Sequence, residues 1–400
     1  MMTPETAAYV ARHGADDVRL LALRGTKDPL VDLPLALDQI AGRQKARQKL
    51  PSWADVEGLC FPPHLAMEQC SSETTARYKA ALVARAVAGR DRLTDLTGGF
   101  GVDFSFLAPL FRRAVYVERQ QQLCLTARHN MPLLGIAQAE VVCDEAEHYA
   151  AHSMEHCSLV FIDPARRDSH GQRTYALTDC TPDATTLMPL LLRKSDAVLL
   201  KLSPMLDWRK AVADVGAERV SEVHIVATGG ECKELLLLAG QEARPLTLHC
   251  ADDSGVVVLS ADELSPMPPT AGGAVPEAGW WLCEPSAPLM KSGCFAAIEH
   301  RYGVTQIAPS SHLFVASEPV KAFPGRTFRI GTVTTMAKGA LKKALSGTDR
   351  ANIAVRNFPL GVNELRKRLH MADGGDVYIF ATTLADGQHV LLVCTKFGQA

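Results

Sequence analysis

The sequence predicts an α/β fold, in which a Rossmann-like parallel sheet follows an N-terminal helical region and precedes a C-terminal α+β region. Short apolar strands alternate with helical patterns five times between residues 92 and 202, the order of a doubly wound sheet. A glycine-rich turn follows the first of these strands. A proline- and glycine-rich stretch, residues 265–279, separates this part from a second run of strands and helices.

Composition limits the classes of function. A chain of 400 residues with 47% hydrophobic residues has material for two or three domains with large cores. The net charge of −2 excludes a general attraction to nucleic acid, so any such surface must be local. Eleven cysteines without a C-x-x-C pair fit reduced thiols better than disulfides or a metal site. Without a signal peptide or a long apolar run, we expect a cytoplasmic protein without membrane contact.

The N-terminal region, residues 1–75, is expected to be helical from residue 3 to about 50. A basic run at residues 43–49 is either a solvated helix face or a strip that contacts phosphate. Ser71 or Ser72 can cap a following helix. That helix immediately precedes the first strand, so its start is either an ordinary cap or part of a ligand cleft.

Residues 92–118 read as strand, glycine loop, helix and strand. Glycine has no Cβ and tolerates positive φ, so the backbone of this loop can pass close to a ligand. Its turn consists of Thr97, Gly98, Gly99 and Gly101. Glu118 ends the second strand, where a carboxylate can accept hydrogen bonds from both hydroxyls of a ribose. The pattern favours a nucleoside-cofactor site; the alternative is a tight strand-to-helix turn without a ligand.

The glycine spacing argues against a dinucleotide cofactor. The G-x-G-x-x-G/A pattern places Phe104 where a small residue should let the helix pack on the strand. Asp95, four residues before Gly99, instead gives D-x-T-x-G-x-G. This resembles motif I of the class I S-adenosylmethionine (SAM) methyltransferases.

Acidic residues also follow the third and fourth strands. Asp144 comes after the strand 139–143 and can either accept from an adenine amino group or cap a helix over 145–151. Asp163 comes after the strand 158–162, which in a methyltransferase sheet ends over the transferable methyl group, so we expect Asp163 near the reaction centre.

Three cations near these strand ends need partners. Arg166 and Arg167 follow Asp163 and contact either phosphate, as substrate-binding residues, or Asp168 or Asp179 in a salt bridge. Lys201 lies in the apolar fifth strand and must reach a carboxylate or the cleft, which makes it a second catalytic candidate beside Asp163.

The motifs DLTGGFGVD, YVE, VVCD, FIDPARR and LLKLSP occur in the order of class I SAM methyltransferases over residues 95–261. With EQCSSETTARYK and GGECKEL, the whole chain resembles the bacterial methyltransferase family with a THUMP-like C-terminal domain. The resemblance implies SAM as the cofactor, held by Asp95, Thr97, Gly98, Gly99, Gly101, Glu118, Asp144 and Asp163. It implies four regions: a helical region at 1–75, the methyltransferase domain at 76–265, a small ferredoxin-like module at 280–323, and a THUMP-like domain at 326–397.

The sequence departs from two related motifs. Enzymes that methylate exocyclic amines carry D/N-P-P followed by an aromatic residue, and this chain has Asp163-Pro164-Ala165-Arg166. D-P-A-R resembles the motif of RNA uracil-C5 methyltransferases, which need a nucleophilic cysteine after strand five, where this chain has Leu202-Ser203-Pro204. Neither chemistry is therefore favoured by its motif.

The C-terminal region predicts a small module with a helix around 292–301, then a βαβαββ domain. Residues 229–234 are expected to be a turn. The βαβαββ domain is rich in basic residues, which favours RNA docking through residues such as Lys338, Lys342 and Arg366; the alternative is a solvated helix face. We therefore expect a SAM-dependent methyltransferase that acts on an rRNA or tRNA base. The alternatives are a methyltransferase for protein or small molecules and a non-catalytic RNA-binding protein on the same scaffold.

Overall fold

The computed structural model describes residues 2–62, 64–166, 177–265 and 273–397. The helices are α1 (Pro4–His13), α2 (Val18–Arg24), α3 (Leu33–Lys49), α4 (Pro51–Ala54), α5 (His64–Gln69), α6 (Glu73–Ala86), α7 (Val102–Leu107), α8 (Gln121–Leu133), α9 (Ala146–His152), α10 (Ala184–Lys194), α11 (Trp208–Val215), α12 (Ala261–Leu264), α13 (Ala287–Ser292), α14 (Phe295–Tyr302), α15 (Lys338–Ala344) and α16 (Val362–Leu369). Two 3₁₀ turns lie at Ala108–Leu110 and Leu177–Asp179.

The strands are β1 (Arg92–Asp95), β2 (Arg113–Glu118), β3 (Ala139–Cys143), β4 (Cys157–Ile162), β5 (Ala165–Arg166), β6 (Cys180–Thr181), β7 (Ser195–Leu202), β8 (Val220–Thr228), β9 (Glu231–Gly240), β10 (Thr247–Asp252), β11 (Gly255–Leu259), β12 (Trp281–Pro285), β13 (Thr305–Gln306), β14 (Phe314–Ala316), β15 (Gly325–Thr334), β16 (Asn352–Arg356), β17 (Val377–Thr383) and β18 (His389–Lys396). The chain forms two compact units, one of Met1–Val223 with Lys233–Arg244 and one of His224–Cys232 with Pro245–Ala400.

The first unit is built on a sheet in the order β9-β7-β4-β1-β2-β3. β1 pairs in parallel with both β2 and β4, β2 pairs in parallel with β3, and β4 with β7, while β9 is antiparallel to β7. All six residues of β4 are buried, as expected of a parallel strand covered on both faces. The sheet confirms the predicted α/β class and places the carboxyl ends of β1, β2, β3, β4 and β7 at one edge.

The N-terminal helices pack against the start of this sheet. Trp53 from α4 meets Phe100 in the glycine turn edge to face, with ring centroids 5.0 Å apart. Both rings belong to a buried cluster that also contains Leu50, Phe61 and Val102. This cluster fixes the outer side of the glycine turn, so the helical region positions the site as well as adding core.

The second unit contains a sheet in the order β13-β14-β12-β15-β18-β17-β16. β16 is parallel to β17. The pairs β12 with β15, β15 with β18 and β18 with β17 are antiparallel. Glu284 of β12 is 3% exposed and accepts from the guanidinium groups of Arg326 and of Arg356, at the end of β16. One carboxylate therefore joins distant strands of this sheet.

One local prediction was wrong, and another holds with a shifted start. The helix expected around 292–301 is α14, Phe295–Tyr302, which begins later than expected because Gly293, in a left-handed conformation (φ 66°), ends α13 at Ser292. The expected turn at 229–234 is shorter: Gly229 and Gly230 have φ of 60° and 76°, which suits a two-residue turn, and β9 begins at Glu231. Within the described part of the chain, no helix has the length and apolar composition needed to cross a membrane.

Candidate cofactor and active site

A cavity of about 680 Å³ opens at the carboxyl ends of the parallel strands in the first unit. Such edges of α/β sheets are where ligands bind. Its lining includes the nine residues predicted for cofactor binding and catalysis: Asp95, Thr97, Gly98, Gly99, Gly101, Glu118, Asp144, Asp163 and Lys201. The structure therefore brings these nine residues to one place.

The glycine turn is shaped by its neighbours. A Cβ on Gly98 would lie 2.2 Å from Cε2 of the buried ring of Tyr116, so close packing requires glycine there. Gly99 and Gly101 have φ of 55° and 86°, which favours glycine. The Tyr116 hydroxyl donates to the Gly99 carbonyl, and the Gly98 N–H donates to the Val117 carbonyl at 2.8 Å. Two hydrogen bonds therefore hold the turn to β2, and its glycines line the cavity.

Glu118 links the glycine turn to the start of α8. One carboxylate oxygen accepts from the Gly99 N–H at 3.0 Å and the other from the Gln120 N–H at 2.8 Å. The side chain is fixed and the residue is only 7% exposed, yet it lines the cavity. Each oxygen retains a further lone pair, so the carboxylate can accept from two adjacent hydroxyl groups. This pair of hydrogen-bond acceptors fits the two ribose hydroxyls of SAM.

Asp95 and Thr97 hold the turn to the neighbouring strand. Asp95 accepts from the Thr97 N–H at 2.9 Å, and the Thr97 hydroxyl accepts from the Asp163 N–H at 2.7 Å. Burial raises the pKa of Asp95 well above its usual value. The hydrogen bond from the Thr97 N–H lowers this pKa, and the nearby carboxylates of Asp103, Asp163 and Glu118 raise it.

Asp144 lies on the opposite side of the cavity from β4. Its carboxylate accepts from the Glu145 N–H and pairs with His148 Nδ1, both at 2.8 Å. The bond with His148 lowers the pKa of Asp144, so the group is an anion at neutral pH. The helix α9 begins at Ala146 with Glu145 in the capping position, so the expected capping role of Asp144 was wrong. Its place on the cavity wall leaves the adenine interpretation open.

Asp163 and Lys201 form an ion pair on the cavity wall. Lys201 Nζ lies 2.6 Å from Asp163 Oδ2 and 3.4 Å from Asp103 Oδ2. The Asp163 side chain is 37% exposed, whereas that of Lys201 is 10% exposed. Burial alone would lower the pKa of Lys201, but Asp163 and Asp103 raise it well above its usual value, so the ammonium form persists. The enclosed position of Asp163 raises its pKa more than Lys201 lowers it.

A second layer of charge lies behind this pair, and the sequence analysis missed it. Lys79 of α6 is fully buried and contacts Glu234, Asp103 Oδ1 at 3.1 Å and the Ser71 hydroxyl at 3.3 Å. Ser71 in turn donates to Asp103 at 2.7 Å. Burial alone would raise the pKa of Asp103, but Lys79 and Lys201 together lower it.

A signal for Lys79 is present in the sequence. Ala76, Leu82 and Val83 mark the buried face of α6, and Lys79 falls on the same face at helical spacing. A lysine on a buried face requires a carboxylate partner. The start of α6 is both a helix cap and part of the cavity wall. Ser72 caps the helix by accepting from the Thr75 N–H, and Ser71 lines the cavity.

The basic run 43–49 is partly engaged within the first unit. Lys45 pairs with Glu68 at 2.8 Å, and Lys49 donates to the carbonyls of Met67 and Glu68 at 2.9 and 2.7 Å. Arg47 is exposed. For the pair after Asp163, Arg167 lies outside the described residues, as does the side chain of Arg166.

Comparison with known proteins identifies the family. The chain is 30% identical to a proposed methyltransferase from Porphyromonas gingivalis W83 whose crystal structure is known, with a TM-score of 0.83 and 98% of each chain covered. The chain belongs to the class I methyltransferase family with a THUMP-like C-terminal region. A profile described as a THUMP domain-like family matches residues 325–396, and a ferredoxin-like domain family matches residues 281–324.

More distant structures resemble only part of the chain. An rRNA methylase from Streptococcus thermophilus is 14% identical, with a TM-score of 0.32, over 42% of this chain and 96% of its own. A proposed methyltransferase from Streptococcus mutans in complex with SAH is 13% identical, with a TM-score of 0.32, over 40% and 94% of the two chains. Likeness at this level carries no functional argument. Among curated proteins, none matches the sequence significantly.

The basic residues predicted to contact RNA lie in the THUMP-like region of this methyltransferase family member. Lys338 and Lys342 are exposed on α15. Arg366 of α16 is half-buried, pairs with Asp373 at 2.6 Å and donates to the Ala351 carbonyl at 3.2 Å. The two lysines are therefore accessible to a partner, whereas Arg366 also contributes to the packing of α16.

Proposed function

We propose that this protein is a SAM-dependent methyltransferase that acts on RNA, with rRNA or tRNA as the substrate class. One observation supports the proposal most: the glycine turn, the Glu118 carboxylate and the Asp163–Lys201 pair line a single cavity in a chain of the class I methyltransferase family. The geometry supports a nucleoside at one end of the cavity and a reacting group at the other.

The residues on the cofactor side have separate roles in this proposal. Glu118 accepts hydrogen bonds from the two ribose hydroxyls, and Asp144 accepts one from the adenine amino group. Asp95 and Thr97 hold the glycine turn in place through their own hydrogen bonds. When bound, SAM supplies an electrophilic methyl group on a sulfonium. On the acceptor side, Asp163 orients the nucleophile and receives its proton, and Lys201 keeps Asp163 in position.

The proposal that RNA is the methyl acceptor rests on the C-terminal region. The region that matches the THUMP domain-like family contains the exposed Lys338 and Lys342 on α15. Because the whole chain has a net charge of only −2, a basic surface there is a local feature that can contact phosphate.

The cofactor role is tested by isothermal calorimetry of the full chain with SAM. Glu118→Ala should abolish measurable binding, because it removes the acceptor for both ribose hydroxyls and the anchor of Gly99. Glu140→Ala, which changes an exposed acid on the neighbouring strand β3, serves as the control and should bind SAM like the wild type. Unchanged affinity in Glu118→Ala would remove the ribose assignment.

The RNA role is tested by mass spectrometry of RNA from a strain that lacks the gene, in which one methyl mark should be missing. Incubation of that RNA with purified protein and SAM should restore the mark. Lys338→Ala/Lys342→Ala should weaken RNA binding and reduce its salt dependence, with a slope change of about 1 for each phosphate that the protein no longer neutralises. Lys321→Ala, an exposed lysine outside the THUMP-like match, is the control. Methylation of protein or a metabolite without RNA would favour the alternative enzyme classes, and a cavity that does not bind SAM would favour a non-catalytic scaffold.

A further inference from the structure

The described wall of the cavity has charged groups on the acceptor side and no exposed aromatic ring. Enzymes that act on a base hold it between aromatic or apolar side chains. Among the described residues that line this cavity, the aromatic ones are Phe100 and Phe161, which are 6% and 1% exposed because both belong to the protein core. The described wall therefore presents no aromatic face on which a base could stack.

The polar groups of the wall include an ammonium and a carboxylate in direct contact. Lys201 and Asp163 both line the cavity, and their charged atoms are 2.6 Å apart. Asp163 is the more open of the two. A group that enters the cavity at this pair meets a proton acceptor and a fixed positive charge together.

The layer behind the pair fixes the position of Lys201. Asp103 shares its carboxylate between Lys201, Lys79 and Ser71, and Glu234 holds Lys79 from the other side. The network contains two ammonium groups and three carboxylates, so it has one more negative than positive group. Asp163 is the member of the network most open to the cavity.

The possible acceptor atoms differ in what they need from the protein. An exocyclic amine gains positive charge on its nitrogen as it attacks, so a fixed cation beside it is unfavourable, and its base ring has to be held. A hydroxyl group is a poor nucleophile until its proton is shared with a base, and the charge that develops on its oxygen needs a nearby cation. Asp163 and Lys201 supply those two functions side by side.

We propose that the acceptor is the 2′-hydroxyl group of a ribose in RNA, with Asp163 as the proton acceptor and Lys201 as the cation that stabilises the developing alkoxide. This inference rests on the proposed function and replaces the base expected from the sequence. The ribose oxygen forms a bond to the methyl carbon, the bond from that carbon to the sulfonium sulfur breaks, and its electron pair stays on sulfur. The hydroxyl proton passes to the Asp163 carboxylate and then to water.

Titration of the pair agrees with these roles. The carboxylates of Asp163 and Asp103, 2.6 and 3.4 Å from the Lys201 ammonium, raise its pKa against the effect of burial and favour its charged form. The pKa of Asp163 is raised above its usual value by burial, which makes it a stronger proton acceptor than an exposed aspartate. Lys79 and Glu234 lie outside the cavity lining, and Asp103 lines it with its carboxylate paired to Lys79 and Lys201, so the three act as positioning residues.

The test locates the transferred methyl group. Unmethylated RNA from the gene-deletion strain is incubated with the full chain and SAM labelled in the methyl group, then hydrolysed in alkali. A ribose methyl blocks the oxygen that attacks the neighbouring phosphodiester, so the label should appear in alkali-resistant dinucleotides. Label in mononucleotides with a methylated base would overturn this inference and leave the proposed function intact. Absence of label in any RNA would overturn both.

Once the nucleotide is located, an RNA with a 2′-deoxyribose at that single position should accept no methyl group, although its base is unchanged. Lys201→Met and Asp163→Asn should each lower the transfer rate by about 100-fold or more, and Lys201→Met should leave SAM affinity measured by calorimetry within about threefold of the wild type. Lys210→Met, on an exposed helix face, is the control. Transfer to the 2′-deoxy RNA, or full activity of Lys201→Met, would overturn the assignment.

Glu234→Gln tests the positioning layer. The Glu234 carboxylate raises the pKa of Asp163, so its removal should shift the acidic limb of the pH–rate profile to lower pH. A purely structural role would lower the amount of active protein without moving the profile. A profile that stays in place would therefore remove Glu234 from the positioning layer.

Discussion

Replacement of Lys79 by methionine should strongly destabilise the first unit. Lys79 is 0% exposed, and its ammonium contacts Glu234 and Asp103. Methionine fills a similar volume but leaves Glu234 as a buried carboxylate without a cation. Removal of one partner of a buried ion pair costs about 3–5 kcal/mol, and a unit of about 150–250 residues loses roughly 2–4 °C in melting temperature per kcal/mol. The expected loss is therefore about 6–20 °C.

Scanning calorimetry of the full chain measures this loss as a shift of the transition that SAM stabilises. The matched variant Lys79→Met/Glu234→Gln removes both charges and should recover a large part of the lost stability, because the buried carboxylate is then neutral. A single variant that loses less than about 1 kcal/mol, or a double variant no more stable than the single one, would refute the account of Lys79 as a buried counter-ion.

Three further predictions concern packing and charge. Gly98→Ala places a Cβ against the ring of Tyr116 and should cost about 1–3 kcal/mol and weaken SAM binding in calorimetry. Gly361→Ala, whose Cβ would meet no atom within 4 Å and whose φ is −73°, is the control. Glu284→Gln removes the charge between two arginines and should lower the unfolding free energy of the second unit by about 2 kcal/mol in urea titration. Because the pKa of Asp103 is lowered in the folded protein, its contribution to stability is complete above about pH 4 and is lost as the pH falls through that lowered pKa. The loss of stability at acidic pH should therefore be less steep in Asp103→Asn than in the wild type.

The strand ends of the first unit could be predicted from the sequence because their signals are local. An apolar run that stops at Asp95, Glu118 or Asp163 gives both the strand and the residue at its carboxyl end. Once the strands are parallel, those ends meet at one edge of the sheet whatever the loops do. These residues of the cavity lining can therefore be predicted from the sequence pattern and the fold class.

The charge network behind the wall could not be derived in this way. Lys79 and Glu234 are 155 positions apart in the chain and come from a helix before the first strand and a strand after the fifth. The burial of Lys79 can be read from the periodicity of α6, but its partner depends on tertiary packing. Asp103 likewise resembles an ordinary acid in the first turn of a helix until its two lysines are known.

The network is better explained by the chemistry of the site than by stability. A buried ion pair is costly to desolvate, and apolar residues of similar volume often stabilise a protein equally well. An apolar substitute for Lys79 and Glu234 would fill the space but would not hold Asp103, and Lys201 would lose the carboxylate that keeps it at the cavity wall. Asp163 is the most exposed of the five groups, and burial, together with the carboxylates of Asp103 and Glu234, raises its pKa. In the proposed mechanism, this buried layer therefore sets the position of the Asp163–Lys201 pair.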